Sequence, residues 1–225
     1  MKPEDGKWTA DKSTAIITKY LNANKTLDAV ALKAIGGENL CSLSLSQLNN
    51  ITAPNLRDAG ALDISACTPD KKKVLYNIAS AALINQSSDV LTYYNLIKPY
   101  LGGAPLTEIQ RISKQNISVD WTTFMSLDKD VLLQLTPNDV KSILGTNLGQ
   151  LQNALQDPKI QAWLVLQQQS ALNTLGITGL IGKPDPLPGG IITASTVAAG
   201  TNLVVPRLLQ TLFTCVLVAA LQKML

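Results

Sequence analysis

Polar start signals and apolar stripes alternate along most of this chain. Thr68-Pro69, Thr136-Pro137 and Asp157-Pro158 each place a side-chain oxygen ahead of a proline. That pairing opens a helix, because the missing proline N–H costs nothing in the first turn. Apolar residues follow at helical spacing: Val74, Leu75, Ile78 and Ala82 after the first start, and Val140, Ile143 and Leu144 after the second. After the third come Ile160, Trp163, Leu164 and Leu166, a broader face. Gly36, Gly102, Gly145 and Gly176 fall where stripes end, the residue type that accepts the left-handed turn beyond a helix. No stretch alternates with period two between hairpin turns. The pattern predicts about ten helices of some eight to eighteen residues, joined by short turns. A four-helix bundle would use fewer and longer helices. Many short helices in series, entered through Leu-Ser and Leu-Thr-Pro steps at an irregular period, predict an all-α, right-handed superhelical α-solenoid of armadillo or HEAT type over residues 1–176.

The pattern stops at Gly176. Residues 177–201 predict a flexible stalk, since the Gly- and Pro-rich run at 182–190 breaks any helix. Small residues at 193–201, a spacer at 202–207 and an apolar run at 208–221 follow. This is the order of a glycosylphosphatidylinositol (GPI) attachment signal, in which residues 202–225 are cleaved away and no spanning helix is left. Cleavage near Ala199 leaves a short spacer; cleavage near Ala194 leaves a longer one. The apolar run, about fourteen residues, falls short of the roughly twenty that cross a bilayer. Residues 212–221 also lack the polar face of an ordinary core helix. The alternative is a tail-anchored scaffold that keeps residues 208–225 in a membrane and binds partners on the cytosolic side. Secretory entry needs an apolar N-terminal core. Residues 1–8 are charged and have none, so the GPI reading expects a longer precursor.

Composition narrows the chemistry. The 225 residues, 46% hydrophobic and 16% charged, can bury a sizeable core in one or two domains. Histidine is absent, which removes Ser-His-Asp and Cys-His nucleophiles and the commonest metal ligand. Among the scattered carboxylates, Asp128 and Asp130 are two residues apart and do not share a helix face. No Gly-x-Gly-x-x-Gly or P-loop spacing occurs, and Gly36-Gly37 and Gly102-Gly103 read as helix stops. Neither an enzyme nor a cofactor site is expected. The net charge of +3 does not argue for nucleic acid, and Lys71-Lys72-Lys73, the one basic run, reads as a solvated helix face.

Of three cysteines, Cys215 lies in the apolar tail, leaving Cys41 and Cys67. In an oxidising compartment these two would pair; in the cytosol they would be buried thiols. Four Asn-x-Ser/Thr sequons occur, at Asn24, Asn50, Asn85 and Asn116. Each lies at an expected helix boundary or loop, where a glycan disturbs no core, although Asn, Ser and Thr gather there as caps too.

Several segments together resemble the C-terminal part of the mesothelin family, which includes stereocilin and otoancorin. They are Leu40-Cys41-Ser42-Leu43-Ser44, Cys67-Thr68-Pro69, Leu101-Gly102-Gly103-Ala104-Pro105, Gln115-Asn116-Ile117-Ser118-Val119-Asp120 with Thr123-Phe124-Met125, and Leu172-Asn173-Thr174-Leu175-Gly176. Leu135-Thr136, Val140 and Leu144-Gly145 fall between the last two in order. The resemblance implies an armadillo-like GPI-anchored glycoprotein on the extracellular face of the plasma membrane, reached by secretion, with a role in cell adhesion or cell–matrix contact. Its partner would be a cell-surface or matrix glycoprotein. By position, Cys41 and Cys67 would be bridged, Asn116 and then Asn85 would carry glycan, and Ala198, Ala199 and Gly200 would form the attachment region. The family's N-terminal part, which binds a large membrane mucin, has no counterpart in these residues, so mucin binding is not carried over.

Overall fold

A buried apolar residue followed at once by a capping residue recurs every eight positions through the first part of the molecule. The computed structural model describes residues 8–84, 89–179 and 181–186. Asp28, Gly36, Ser44 and Thr52 are successive N-caps, and the residues before them, Leu27, Ile35, Leu43 and Ile51, are all buried. The same beat returns at Asp120, Asp128 and Thr136, behind buried Val119, Leu127 and Leu135. At each of these except Gly36, a side-chain oxygen satisfies amides of the first turn while the preceding apolar residue fixes how the chain enters. Ser44 accepts from the Gln47 amide and the Gln47 side chain returns the bond to the Ser44 amide. Thr136 and Asp139 form the same box.

The consequence is a chain of short helices. In order these are α1 (Ala10–Asn22), α2 (Ala29–Ile35), α3 (Gly37–Leu40), α4 (Leu45–Leu48), α5 (Ala53–Ala59), α6 (Pro69–Leu83) and α7 (Val90–Ile97). A 3-10 turn at Lys98–Gly103 precedes α8 (Leu106–Ser113), α9 (Trp121–Ser126), α10 (Lys129–Gln134) and α11 (Pro137–Leu144). After a second 3-10 turn at Gly145–Asn147 come α12 (Gly149–Asn153), α13 (Pro158–Leu164) and α14 (Gln169–Asn173). The described residues are therefore all-α, with one isolated bridge between Gln168 and Lys183. Helices are more numerous and shorter than the pattern predicts: only α1, with 13 residues, and α6, with 15, exceed eight. Each new cap arrives before the previous helix can lengthen.

The three Pro-marked starts stand where the sequence places them, at α6, α11 and α13. Val140, Ile143, Leu144, Ile160, Trp163 and Leu164 are buried, whereas Leu166 is exposed beyond the end of α13. In α6 the buried positions are Leu75, Tyr76, Ala79 and Leu83. The expected Val74, Ile78 and Ala82 flank them, half-buried. The face turned because α6 is enclosed by α4, α5, α7 and the Lys98–Gly103 turn. Against that turn the backbones touch: a Cβ on Gly103 would lie 2.1 Å from the Lys72 carbonyl oxygen. Only glycine fits such an approach.

Side chains of later elements reach back to carbonyls beside the caps. Asn55 donates to the Leu27 oxygen at 3.2 Å and Asn147 to the Val119 oxygen at 3.1 Å. The Trp163 indole donates to the Leu135 oxygen at 2.8 Å. In each case donor and acceptor are 28 residues apart. Lys159 serves Leu127 in the same way across 32 residues.

The compact unit extends to Asp185, beyond the boundary that the sequence pattern predicts at Gly176. Ile177 is buried. The Gln169 amide donates to the Lys183 oxygen at 2.9 Å, the Lys183 amide donates to the Gln167 oxygen at 2.7 Å, and the Gln169 side-chain oxygen accepts from the Ile181 and Gly182 amides, both at 3.0 Å. The Asp185 carboxylate accepts from the amide and hydroxyl of Ser170. That bond supplies an N-terminal acceptor for α14 from outside the helix, where Gln168 makes no side-chain cap.

Candidate functional site

Cys41 closes α3 and Cys67 lies just ahead of the α6 cap, so the chain between them, through α4 and α5, returns one to the other. They are bonded, with Cα atoms 4.6 Å apart. Beside the bridge the Lys71 ammonium donates to the Cys41 carbonyl at 2.6 Å. A cation on the carbonyl end of a helix is favoured there. Lys71 and Lys72 are half-buried, and only Lys73 is exposed. The basic run thus departs from the expected solvated face, because α6 begins against the end of α3.

The sequon asparagines Asn24, Asn50 and Asn116 are exposed. Asn24 and Asn116 have φ of 56° and 55°, the left-handed region that asparagine tolerates better than most residues. Both follow a helix, α1 and α8 respectively, so a structural turn and a modification signal share the same atoms. Thr52 of the second sequon also caps α5. Ser118 of the fourth accepts from the Thr146 amide at 3.3 Å. Asn85 and the attachment region Ala198, Ala199 and Gly200 lie outside the described residues.

The densest polar cluster joins α7 to α8 and was not singled out from the sequence. Glu108 is buried and accepts from the Tyr93 hydroxyl at 3.0 Å and from Arg111 Nε and Nη2, each at 2.9 Å. Arg111 also lies over the Tyr93 ring, 4.7 Å from its centroid, a favourable cation–π distance. Burial, reinforced by the Glu108 charge, raises Tyr93 to about 12 and lifts Tyr76 further. The hydrogen bonds of Glu108 hold the Arg111 guanidinium firmly charged. The cluster lines an open hollow of about 440 Å³ between α6 and α8. Every oxygen of the carboxylate is committed, so the arrangement locks helices together and offers no mobile proton. The one signal in the sequence is the Glu108–Arg111 pair three apart on a helix; Tyr93 comes from a different helix.

Among the described residues no group of three or more His, Cys, Asp or Glu side chains could hold a metal ion. No helix of these residues is long and apolar enough to cross a membrane. A family model described as Mesothelin matches residues 1–222. The mesothelin-like protein of Homo sapiens is 37% identical over 182 residues, covering 74% of this chain and 26% of the relative. That of Mus musculus is 36% identical over 167 residues, covering 74% and 24%. Mesothelin of Mus musculus is 30% identical over 195 residues, covering 85% and 30%. The chain thus spans 24–30% of the length of these relatives.

Proposed function

The chain belongs to the mesothelin family, and from that premise we propose that it is a cell-surface glycoprotein acting in adhesion or cell–matrix contact, held outside the plasma membrane by a GPI lipid. The observation that carries this reading is the Cys41–Cys67 bridge. Disulfides persist in oxidising compartments and are rare in the cytosol, so the bridge favours secretion over the tail-anchored cytosolic scaffold. The exposed Asn24, Asn50 and Asn116 are compatible with glycan, as is Asn85 by its sequon. The small, spacer and apolar segments at 193–221 support the lipid anchor, with Ala198, Ala199 and Gly200 as its attachment region. In this reading residues after Asp185 form the stalk, and the helical unit presents its faces to a partner without chemistry on it.

The helical unit itself is best read as a right-handed α-solenoid. Support comes from the cap-side carbonyls of Leu27, Val119 and Leu135, each served by a side chain 28 residues later. Such layer-to-neighbour bonding is how solenoids are held. Expression behind a signal peptide, followed by phosphatidylinositol-specific phospholipase C, tests the anchor. Release of the chain with a shift on glycosidase treatment is expected. Retention of an uncleaved C-terminus in the membrane, with unmodified sequons, would overturn the reading.

A further inference from the structure

Two adjoining hollows of about 190 and 310 Å³ share Ser65, Lys72, Gly102 and Ser126, and so form one open trough. It runs from the Lys98–Gly103 turn, past the start of α6, to the starts of α10 and α13. Four lysines line it: Lys98, Lys72, Lys129 and Lys159. We propose that this trough binds an acidic polysaccharide, a sugar chain carrying sulfate or carboxylate groups along its length.

The charge arrangement carries the proposal. Against its four lysines two carboxylates line the trough, Asp63 and Asp128, and each also accepts a local bond. Asp63 accepts from the Ser65 amide at 2.9 Å and Asp128 from the Asp130 amide at 2.8 Å. Asp120 holds Lys98 at 2.7 Å and caps α9. No ion pair to Lys72, Lys129 or Lys159 occurs among the described residues. Lys159 is instead held by the Met125 carbonyl at 2.7 Å and that of Leu127. Burial, and then the neighbouring Lys72 charge, lowers the affinity of Lys159 for its proton, against a smaller opposing pull from Asp128 and Asp157. An anion between these two ammonium groups would relieve their repulsion and strengthen both as donors.

The shape favours a chain over a single ion. The trough is open, and its cations are spread along its length. Gly102 and Ser126 are shared by its two halves, and no aromatic ring is among its lining residues. Repeating anionic groups suit such a row of cations; an acidic peptide is the competing occupant, and a polyglutamate surface separates the two. The proposal rests on the extracellular reading for its setting, but its binding step needs no anchor. Phospholipase release and glycan binding can therefore fail independently.

Surface plasmon resonance of the disulfide-bonded full chain on immobilised heparin, hyaluronan and polyglutamate tests it. Binding to heparin or hyaluronan that weakens with added salt is expected, and the preferred surface distinguishes sulfate from carboxylate. Lys72→Gln should weaken that binding about tenfold, and Lys129→Gln, at an exposed position that folding does not depend on, several-fold. Lys19→Gln on α1, away from the trough, should leave it unchanged. Absence of binding at low salt, stronger binding to polyglutamate, or equal losses in the Lys129 and Lys19 variants would overturn the proposal.

Discussion

The indole N–H of Trp163 reaches the carbonyl oxygen of Leu135, 28 residues earlier, at 2.8 Å. Both residues are buried, so no water can replace the donor. Trp163→Phe removes it and some volume besides. The expected loss is about 2–4 kcal/mol of unfolding free energy, read from urea denaturation. A loss under about 0.5 kcal/mol would mean that the bond does not hold the layers together.

The Cys41–Cys67 bridge spans 26 residues and ties α3 to the start of α6. Cys41→Ser with Cys67→Ser should lower stability by about 3–4 kcal/mol in the loop-entropy picture. Reductant should destabilise the unmodified protein by a similar amount and leave the double variant unaffected. Equal sensitivity of both proteins to reductant would contradict this.

Gly103 sits against the backbone of Lys72, and a methyl group there has nowhere to go. All three nearest atoms, from Lys72 and Lys73, are backbone, so the helix and the turn must separate. Gly103→Ala should cost about 3 kcal/mol. Gly149, which has open space around its Cβ position, supplies the comparison: Gly149→Ala should be neutral or slightly stabilising, since alanine is the better helix former. Thermal melting of the two variants decides the matter.

Alkaline pH should unfold the protein through its buried tyrosines. Burial raises Tyr93, Tyr94 and Tyr100 from 10.0 to about 12, with Glu108 adding to the first and Asp120 to the second. A folded value above the unfolded one means that the unfolded chain releases protons first. Stability from these groups is complete below pH 10 and is lost as pH rises toward 12. Tyr100→Phe should flatten part of that loss, at a cost of about 1 kcal/mol for its hydrogen bond to the Gly60 oxygen. Urea midpoints from neutral to alkaline pH test both, and a flat profile for the unmodified protein would refute the argument.

Much of the helical character was legible because proline and its cap mark a helix start in two adjacent residues, as at Thr136-Pro137. Helix length was not. Leu27-Asp28, Leu43-Ser44, Ile51-Thr52 and Cys67-Thr68 lie on an eight-residue beat, too short for a stripe sought over three or four turns. The buried face of α6 was misplaced by one position, since a helix enclosed on several sides has no single stripe. Among site residues, Cys41, Cys67 and the sequons carry their own chemistry in their names. Tyr93 and Glu108 do not: they are 15 residues apart, and only the packing of α7 on α8 turns a phenol and a carboxylate into partners. Lys72 and Lys159 are concealed in the same way, on helices far apart in the chain.

The strap at 181–185 decides how the molecule would carry load. A membrane tether joined beyond residue 186 would pull first on Asp185 and its bonds to Ser170. Behind these, the paired bonds of Lys183 with Gln167 and Gln169 bridge segments running in the same direction. Tension along the strap would shear those bonds together instead of peeling them singly. Were the chain tethered there, these bonds would act as a clamp ahead of α14.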